Sequence, residues 1–123
     1  MSKTVVFDFD GVIHSYTSGW KGAAVIPDPP VPGIKEAIAE IRAAGYRVVI
    51  VSSRCAGPGV DGDTEGMLAI LRYLNKHEIE VDAIQSTKPP AIVYIDDRAI
   101  CFDGDPSVLL GKIKNFRPWM KTT

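Results

Sequence analysis

Two aspartates stand at the end of the first apolar run of the sequence. The run TVVFDFDGV begins at Thr4 and carries Asp8 and Asp10 in its second half. Two like charges about 4 Å apart repel by roughly 4 kcal/mol at an effective dielectric near 20. Such a pair therefore needs a cation beside it, or a proton on one of its carboxyl groups. The sequence predicts that a charge-compensating group lies next to these aspartates in the folded protein.

Further polar side chains follow the later apolar runs. These candidates are Ser52, Ser53, Arg54, Asp96 and Asp97, and Lys88 precedes the run that ends at Ile95. Four aspartates and one lysine carry a formal charge of −3, which a divalent cation and one proton would neutralise. Hard oxygen ligands suit Mg²⁺, which takes one or two carboxylates together with water and phosphate oxygens. We therefore expect a magnesium site that receives a phosphoryl group.

Strands and helices alternate along the chain and would position these groups. Apolar residues at helical spacing predict helices over residues 33–44, 65–77 and 106–116, the last burying Val108, Leu109 and Ile113. Apolar runs predict one strand that begins at Thr4 and four more over residues 46–51, 81–85, 92–95 and 99–102. This alternation predicts an α/β domain with a mostly parallel sheet, which binds ligands at the carboxyl ends of its strands.

Composition narrows the class of protein. The 123 residues, 46% of them hydrophobic, predict one domain spanning 1–123. A net charge of −1 argues against a protein that holds nucleic acid mainly through a basic surface. No apolar run has the length of a membrane span and the chain starts without a signal peptide, so no membrane partner is expected. Cys55 and Cys101 lack CxxC spacing, which favours reduced thiols and a cytoplasmic location. Nothing indicates an obligate protein partner.

Two loops are long enough to matter for a site. Residues 14–32 are either a flap over the site or a surface loop, and the sequence leaves both interpretations open. Residues 55–66 are glycine-rich, and their acidic residues lack the full spacing of a calcium loop. We expect a solvated loop in which Asp63 or Thr64 caps the following helix.

The motifs DFDGV, SSR, KPP and YIDDR follow one another in the order seen in the haloacid dehalogenase superfamily. Each lies beside the element that it should accompany, and the chain resembles this superfamily of phosphohydrolases from Val5 to Phe102. The resemblance implies a three-layer Rossmann-like core, here without a large cap domain. It also implies a Mg²⁺-dependent phosphomonoester hydrolase. A serine stands in the second motif where the family usually has threonine, so the hydroxyl is kept.

The resemblance also implies a role for each matched residue. Asp8 would attack phosphorus and form an aspartyl-phosphate. Asp10 would protonate the leaving oxygen and then activate water. Ser52 or Ser53 would bind the transferring phosphoryl group, and Lys88 would neutralise it and steady Asp8.

The implied metal ligands come from two motifs. Asp96, with Asp97, would hold Mg²⁺ together with the carboxylate of Asp8 and the main-chain carbonyl of Asp10. Arg54 is open to two interpretations, as a substrate-binding residue or as a structural one.

Two other functions remain open. The IDDR stretch and the missing cap resemble the phosphatase half of phage polynucleotide kinases, so the phosphorylated substrate is either a small molecule, including a nucleotide, or a nucleic-acid 3′ end. A non-catalytic phosphate-binding module on the same scaffold would be expected to have lost Asp8, Asp10 or the later acidic pair. All of them are present.

Overall fold

Four parallel strands form the central sheet. A computed structural model describes residues 3–57, 60–61 and 65–119. In chain order the elements are β1 (Thr4–Phe7), α1 (Ile34–Ala43), β2 (Arg47–Val51), β3 (Ala56–Gly57), β4 (Val60–Asp61), α2 (Glu65–Lys76), β5 (Ala83–Gln85), β6 (Val93–Ile95) and α3 (Leu109–Lys114). The strand order is β5-β2-β1-β6, with every neighbouring pair parallel, while β3 and β4 form a separate two-stranded antiparallel sheet. The predicted α/β class and parallel sheet are confirmed.

The sheet positions the site because β1 lies at its centre. The four side chains of β1 are all buried, which fits its run of β-branched and aromatic residues. Val5 is in register with Val48 of β2 and Val93 of β6. The carboxyl ends of these strands therefore lie side by side.

Both long helices pack on the sheet through residues at helical spacing. Ile38 of α1 is buried in the core, as are Ile70 and Leu74 of α2. Phe9, just beyond β1, belongs to the same core cluster and is fully buried. The described residues contain no inserted domain large enough to be a cap, which agrees with the Rossmann-like architecture expected from the sequence.

Two predictions for the last quarter of the chain are wrong. Residues 99–102 form no strand, because a short apolar run becomes a strand only where a partner edge is available. Val108 and Ile113 are exposed and Leu109 is only partly buried. The reason is that the predicted helix splits into a 3₁₀ turn, Pro106–Val108, and α3, which has six residues and buries none of them.

The remaining sequence expectations have mixed outcomes. Cys55 is buried, Cys101 is exposed, and both are free thiols. Among the described residues, no helix combines the length and the apolar character needed to cross a membrane. The predicted cap of α2 by Asp63 or Thr64 lies outside the described residues.

Candidate functional site

Three carboxylates converge at the carboxyl ends of β1 and β6. Asp8 follows β1 directly, and its backbone N–H donates to the carbonyl of Ile95 at 2.8 Å, which continues the pairing of the two strands. Asp96 and Asp97 follow Ile95. Asp8, Asp96 and Asp97 each offer one carboxylate oxygen, and the three oxygens lie within 4.8 Å of one another. The structure thus brings together three of the four aspartates that the sequence singled out.

Gly11 makes room for this cluster. Its φ is +83°, in the left-handed region, and a Cβ added here would overlap the carboxylate of Asp97. The glycine of the DFDG motif therefore allows Asp97 to lie against the loop that follows β1. The Gly11 carbonyl accepts a hydrogen bond from Nε1 of Trp119 at 2.7 Å.

Burial and the neighbouring carboxyl groups change the protonation of Asp8. Burial raises its pKa, and so do a hydrogen bond with Asp97 and the charges of Asp96 and Asp97; a hydrogen bond from the backbone N–H of Phe9 lowers it, and the net result is a pKa of about 8. Without a cation, the cluster therefore holds a proton near neutral pH. Its donors are hard carboxylate oxygens that lie close enough together to hold one metal ion.

Asp10 lies in a different environment from Asp8. Its Oδ2 accepts from Nε of Arg54 at 2.8 Å, and its Oδ1 accepts from Nη2 of Arg54 at 3.0 Å and pairs with Nδ1 of His14 at 2.8 Å. Burial would raise the pKa of Asp10, but these hydrogen bonds and the charge of Arg54 outweigh it and hold the pKa below its ordinary value. Asp10 is a carboxylate at neutral pH, and that carboxylate is not one of the three clustered groups.

His14 is fully buried and its proton is positioned by the backbone. Nε2 accepts a hydrogen bond from the N–H of Asp28 at 3.1 Å, so in the neutral ring the proton is on Nδ1. Nδ1 therefore donates to Asp10. The sequence interpretation assigned no role to His14; the signal available was its position four residues after Asp10.

Arg54 links residues 14–32 to Asp10. This segment is called the flap below, as a name for the segment and not for a role. Its side chain is buried, and Nη1 donates to the carbonyl groups of Gly22 and Ala23, both at 2.8 Å, and of Val25 at 3.2 Å. The guanidinium carbon also lies 4.7 Å from the ring centroid of Trp20. These contacts favour the structural interpretation of Arg54 over the substrate-binding one.

Ser52, Ser53 and Lys88 are the remaining residues that the sequence singled out. Ser52 follows β2, is buried, and accepts a hydrogen bond from the N–H of Arg54 at 3.2 Å, while Ser53 is exposed. The ammonium of Lys88 lies 5.1 Å from the ring centroid of Tyr94. Its expected role beside Asp8 and the transferring phosphoryl group stays a prediction.

Comparison with known proteins identifies a similar fold. No family model and no curated protein matches the chain. The chain is similar to the solved structure of a conserved protein coded by a locus from Bacteroides thetaiotaomicron, with 21% identity over 90% of this chain and 88% of that one and a TM-score of 0.59. At this identity the similarity shows the fold alone.

Proposed function

We propose that the protein is a Mg²⁺-dependent phosphomonoester hydrolase that works through an aspartyl-phosphate on Asp8. The observation that carries the proposal is the convergence of Asp8, Asp96 and Asp97 at the carboxyl ends of neighbouring parallel strands. Open α/β sheets bind their ligands at this edge. The motif order, which resembles that of haloacid dehalogenase phosphohydrolases, supports the same assignment.

The three clustered aspartates are the residues that would hold the metal ion. Bound there, Mg²⁺ supplies the positive charge that lets Asp8 stay ionised beside its two neighbours and a phosphate group. Gly11 contributes by admitting Asp97 to the cluster. The main-chain carbonyl of Asp10 remains a proposed fourth ligand.

The proposed reaction has two halves. In the first, a carboxylate oxygen of Asp8 attacks phosphorus, the bond from phosphorus to the leaving oxygen breaks, and that oxygen takes a proton from Asp10. In the second, water attacks the phosphorus of the aspartyl-phosphate and gives a proton to Asp10. The carboxylate of Asp8 is then released together with inorganic phosphate.

The resting state of Asp10 suits the second half of this reaction better than the first. Arg54 and His14 stabilise its carboxylate form, which is the form that accepts a proton from water. To act as the acid, Asp10 must first exchange these contacts for the leaving oxygen and a proton. Loss of the guanidinium would raise its pKa and favour that protonation.

Phosphate release in the presence of Mg²⁺ tests the proposal. The purified chain is assayed against nucleotides, sugar phosphates and oligonucleotide 3′-phosphates. Asp8→Asn is expected to abolish turnover, whereas Asp103→Asn, which changes an exposed aspartate that pairs with Lys112 and is not one of the clustered three, is expected to retain it. A folded wild-type protein that releases no phosphate from any of these esters would contradict the proposal and favour a non-catalytic phosphate-binding module.

A further inference from the structure

Trp119 lies beside the acidic cluster with most of its surface in water. Its indole N–H is bonded to the Gly11 carbonyl, and Gly11 itself packs against Asp97. The residue is nevertheless 58% exposed. Its hydrogen bond to Gly11 runs through the edge of the ring, so the ring is anchored by its N–H while much of its surface stays available.

Trp20 reaches the same site from the flap. The guanidinium of Arg54 covers its ring at 4.7 Å, and that guanidinium is bonded to Asp10. Trp20 is 53% exposed. A cation against one face of an indole leaves the opposite face free to stack on a second planar group.

Both indoles are therefore linked to Asp10, the residue proposed to protonate the leaving oxygen. Trp20 is linked through Arg54, and Trp119 through Gly11, which follows Asp10 in the sequence. Folding alone does not require this arrangement, because two large apolar rings gain little by standing more than half exposed. Stacking of a base on an aromatic side chain contributes about 1–3 kcal/mol. A phosphate ester with an aliphatic leaving group presents no planar face to such rings.

We infer that Trp20 and Trp119 bind the base of a nucleotide leaving group, which makes nucleoside phosphomonoesters the substrate class of this site. The inference rests on the proposed phosphatase function. It requires the sugar oxygen to face Asp10 and the base to lie against the exposed indole surface. The terminal nucleotide of a nucleic acid offers the same chemistry as a free mononucleotide.

Steady-state kinetics on two matched esters test the inference. Adenosine 5′-monophosphate and ribose 5-phosphate share a primary alcohol leaving group and differ by the base. We expect the nucleotide to have the lower KM, and Trp20→Leu or Trp119→Leu to raise its KM by about tenfold. The KM of ribose 5-phosphate is expected to change by less than about twofold, since it makes no stacking contact. Trp20→Phe and Trp119→Phe should restore most of the selectivity.

Tyr46→Leu is the matched control. Tyr46 is 38% exposed and precedes β2, so it lies at the opposite, amino end of the strands. This variant should leave both KM values unchanged. The selectivity ratio between the two esters is the quantity to compare, because a general disturbance of the site by either tryptophan variant would affect both esters alike. A ratio near one in the wild type, or one unaltered by both Leu variants, would overturn the inference.

A binding measurement separates this inference from the proposed function. The chain contains two tryptophans, so its intrinsic indole fluorescence reports on Trp20 and Trp119 alone. With Mg²⁺ present and Asp8→Asn used to prevent turnover, adenosine 5′-monophosphate should quench this fluorescence saturably, and ribose 5-phosphate should not. Quenching without phosphate release by the wild type would reject the phosphatase and keep the nucleotide site. Phosphate release without selective quenching would keep the phosphatase and reject the nucleotide site.

The two sources of a nucleotide are separated by one further comparison. An oligonucleotide 3′-phosphate and the corresponding 3′-mononucleotide carry the same terminal base and leaving oxygen. A lower KM for the oligonucleotide identifies a nucleic-acid end as the substrate, and an equal or higher one identifies the free nucleotide. Both results are compatible with stacking of the base. If the KM of either ester did not rise in Trp20→Leu and Trp119→Leu, the stacking would be contradicted.

Discussion

Arg54 and Asp10 are joined by two hydrogen bonds, at 2.8 and 3.0 Å, although 44 positions separate them in the sequence. The same guanidinium binds three carbonyl groups of the flap. The ion pair therefore connects the proposed acid-base residue with the segment that borders the site.

Arg54→Met is expected to destabilise the protein by about 3 kcal/mol, because it removes one partner of a buried ion pair and leaves the flap carbonyls without a donor. Urea denaturation measures the change. The control is Arg42→Met, whose ion pairs with Glu80 and Asp82 lie at the surface and should matter much less. Equal losses in the two variants would show that the Asp10 pair carries no special stability.

His14→Phe is expected to raise the pKa of Asp10, because the carboxylate loses the hydrogen bond from Nδ1 that stabilises its charged form. Carbon-13 NMR titration of the Asp10 carboxyl group measures this directly. His77→Phe is the control, since His77 packs against Tyr73 and lies outside the Asp10 network. An unchanged titration of Asp10 in His14→Phe would remove His14 from the proposed mechanism.

Magnesium binding should release a proton below about pH 8, because Asp8, whose pKa is about 8 in the metal-free protein, must ionise to accept the ion. Affinity is expected to rise with pH and to level off above that value. Calorimetry in buffers of different ionisation enthalpy measures the proton released. Asp8→Asn should abolish the release. If the Mg²⁺ affinity of the wild type did not change between pH 6 and about 8, the metal-free cluster would not hold the proton described above.

The raised pKa of Asp8 also predicts how the stability of the metal-free protein depends on pH. Because the folded-state pKa of Asp8 is raised from 3.8 to about 8, this group stabilises the fold fully below pH 3.8 and loses that contribution as pH rises to about 8. In EDTA, Asp8→Asn should flatten this decline and stabilise the protein near pH 8 by about 1–2 kcal/mol. Thermal unfolding across that range provides the measurement, and identical slopes for the two proteins would contradict it.

Gly11→Ala should destabilise the protein by about 1–3 kcal/mol and weaken Mg²⁺ binding, because the new Cβ has an unfavourable backbone conformation and overlaps Asp97. Gly19→Ala provides a matched control. Gly19 also has a positive φ, of +73°, but open space surrounds its Cβ position. Its variant should show the backbone strain alone and bind Mg²⁺ normally. Equal Mg²⁺ affinities for Gly11→Ala and Gly19→Ala would show that Gly11 does not affect metal binding by the cluster.

The periodicity of apolar residues was sufficient to predict most of the fold. A buried β-branched strand and amphipathic helices have local signatures, because side chains on one face recur at the period of the element. From the alternation of these elements came the parallel sheet and the expectation that Asp8 and Asp96 would meet at its edge. The same local reasoning failed at residues 99–102 and in α3, where burial depends on a packing partner rather than on the run itself.

Side-chain partners across the site were decided by the tertiary structure. The sequence placed Asp10 beside Asp8 and left the role of Arg54 open. The position of His14 four residues after Asp10 was its one signal for the contacts by which Arg54 and His14 both bind Asp10. It likewise assigned no function to Trp20 or Trp119. The acidic motifs follow strand ends that periodicity reveals, whereas these contacts join a loop, a turn and the end of the chain. Their geometry depends on how distant segments pack, which local propensity does not encode.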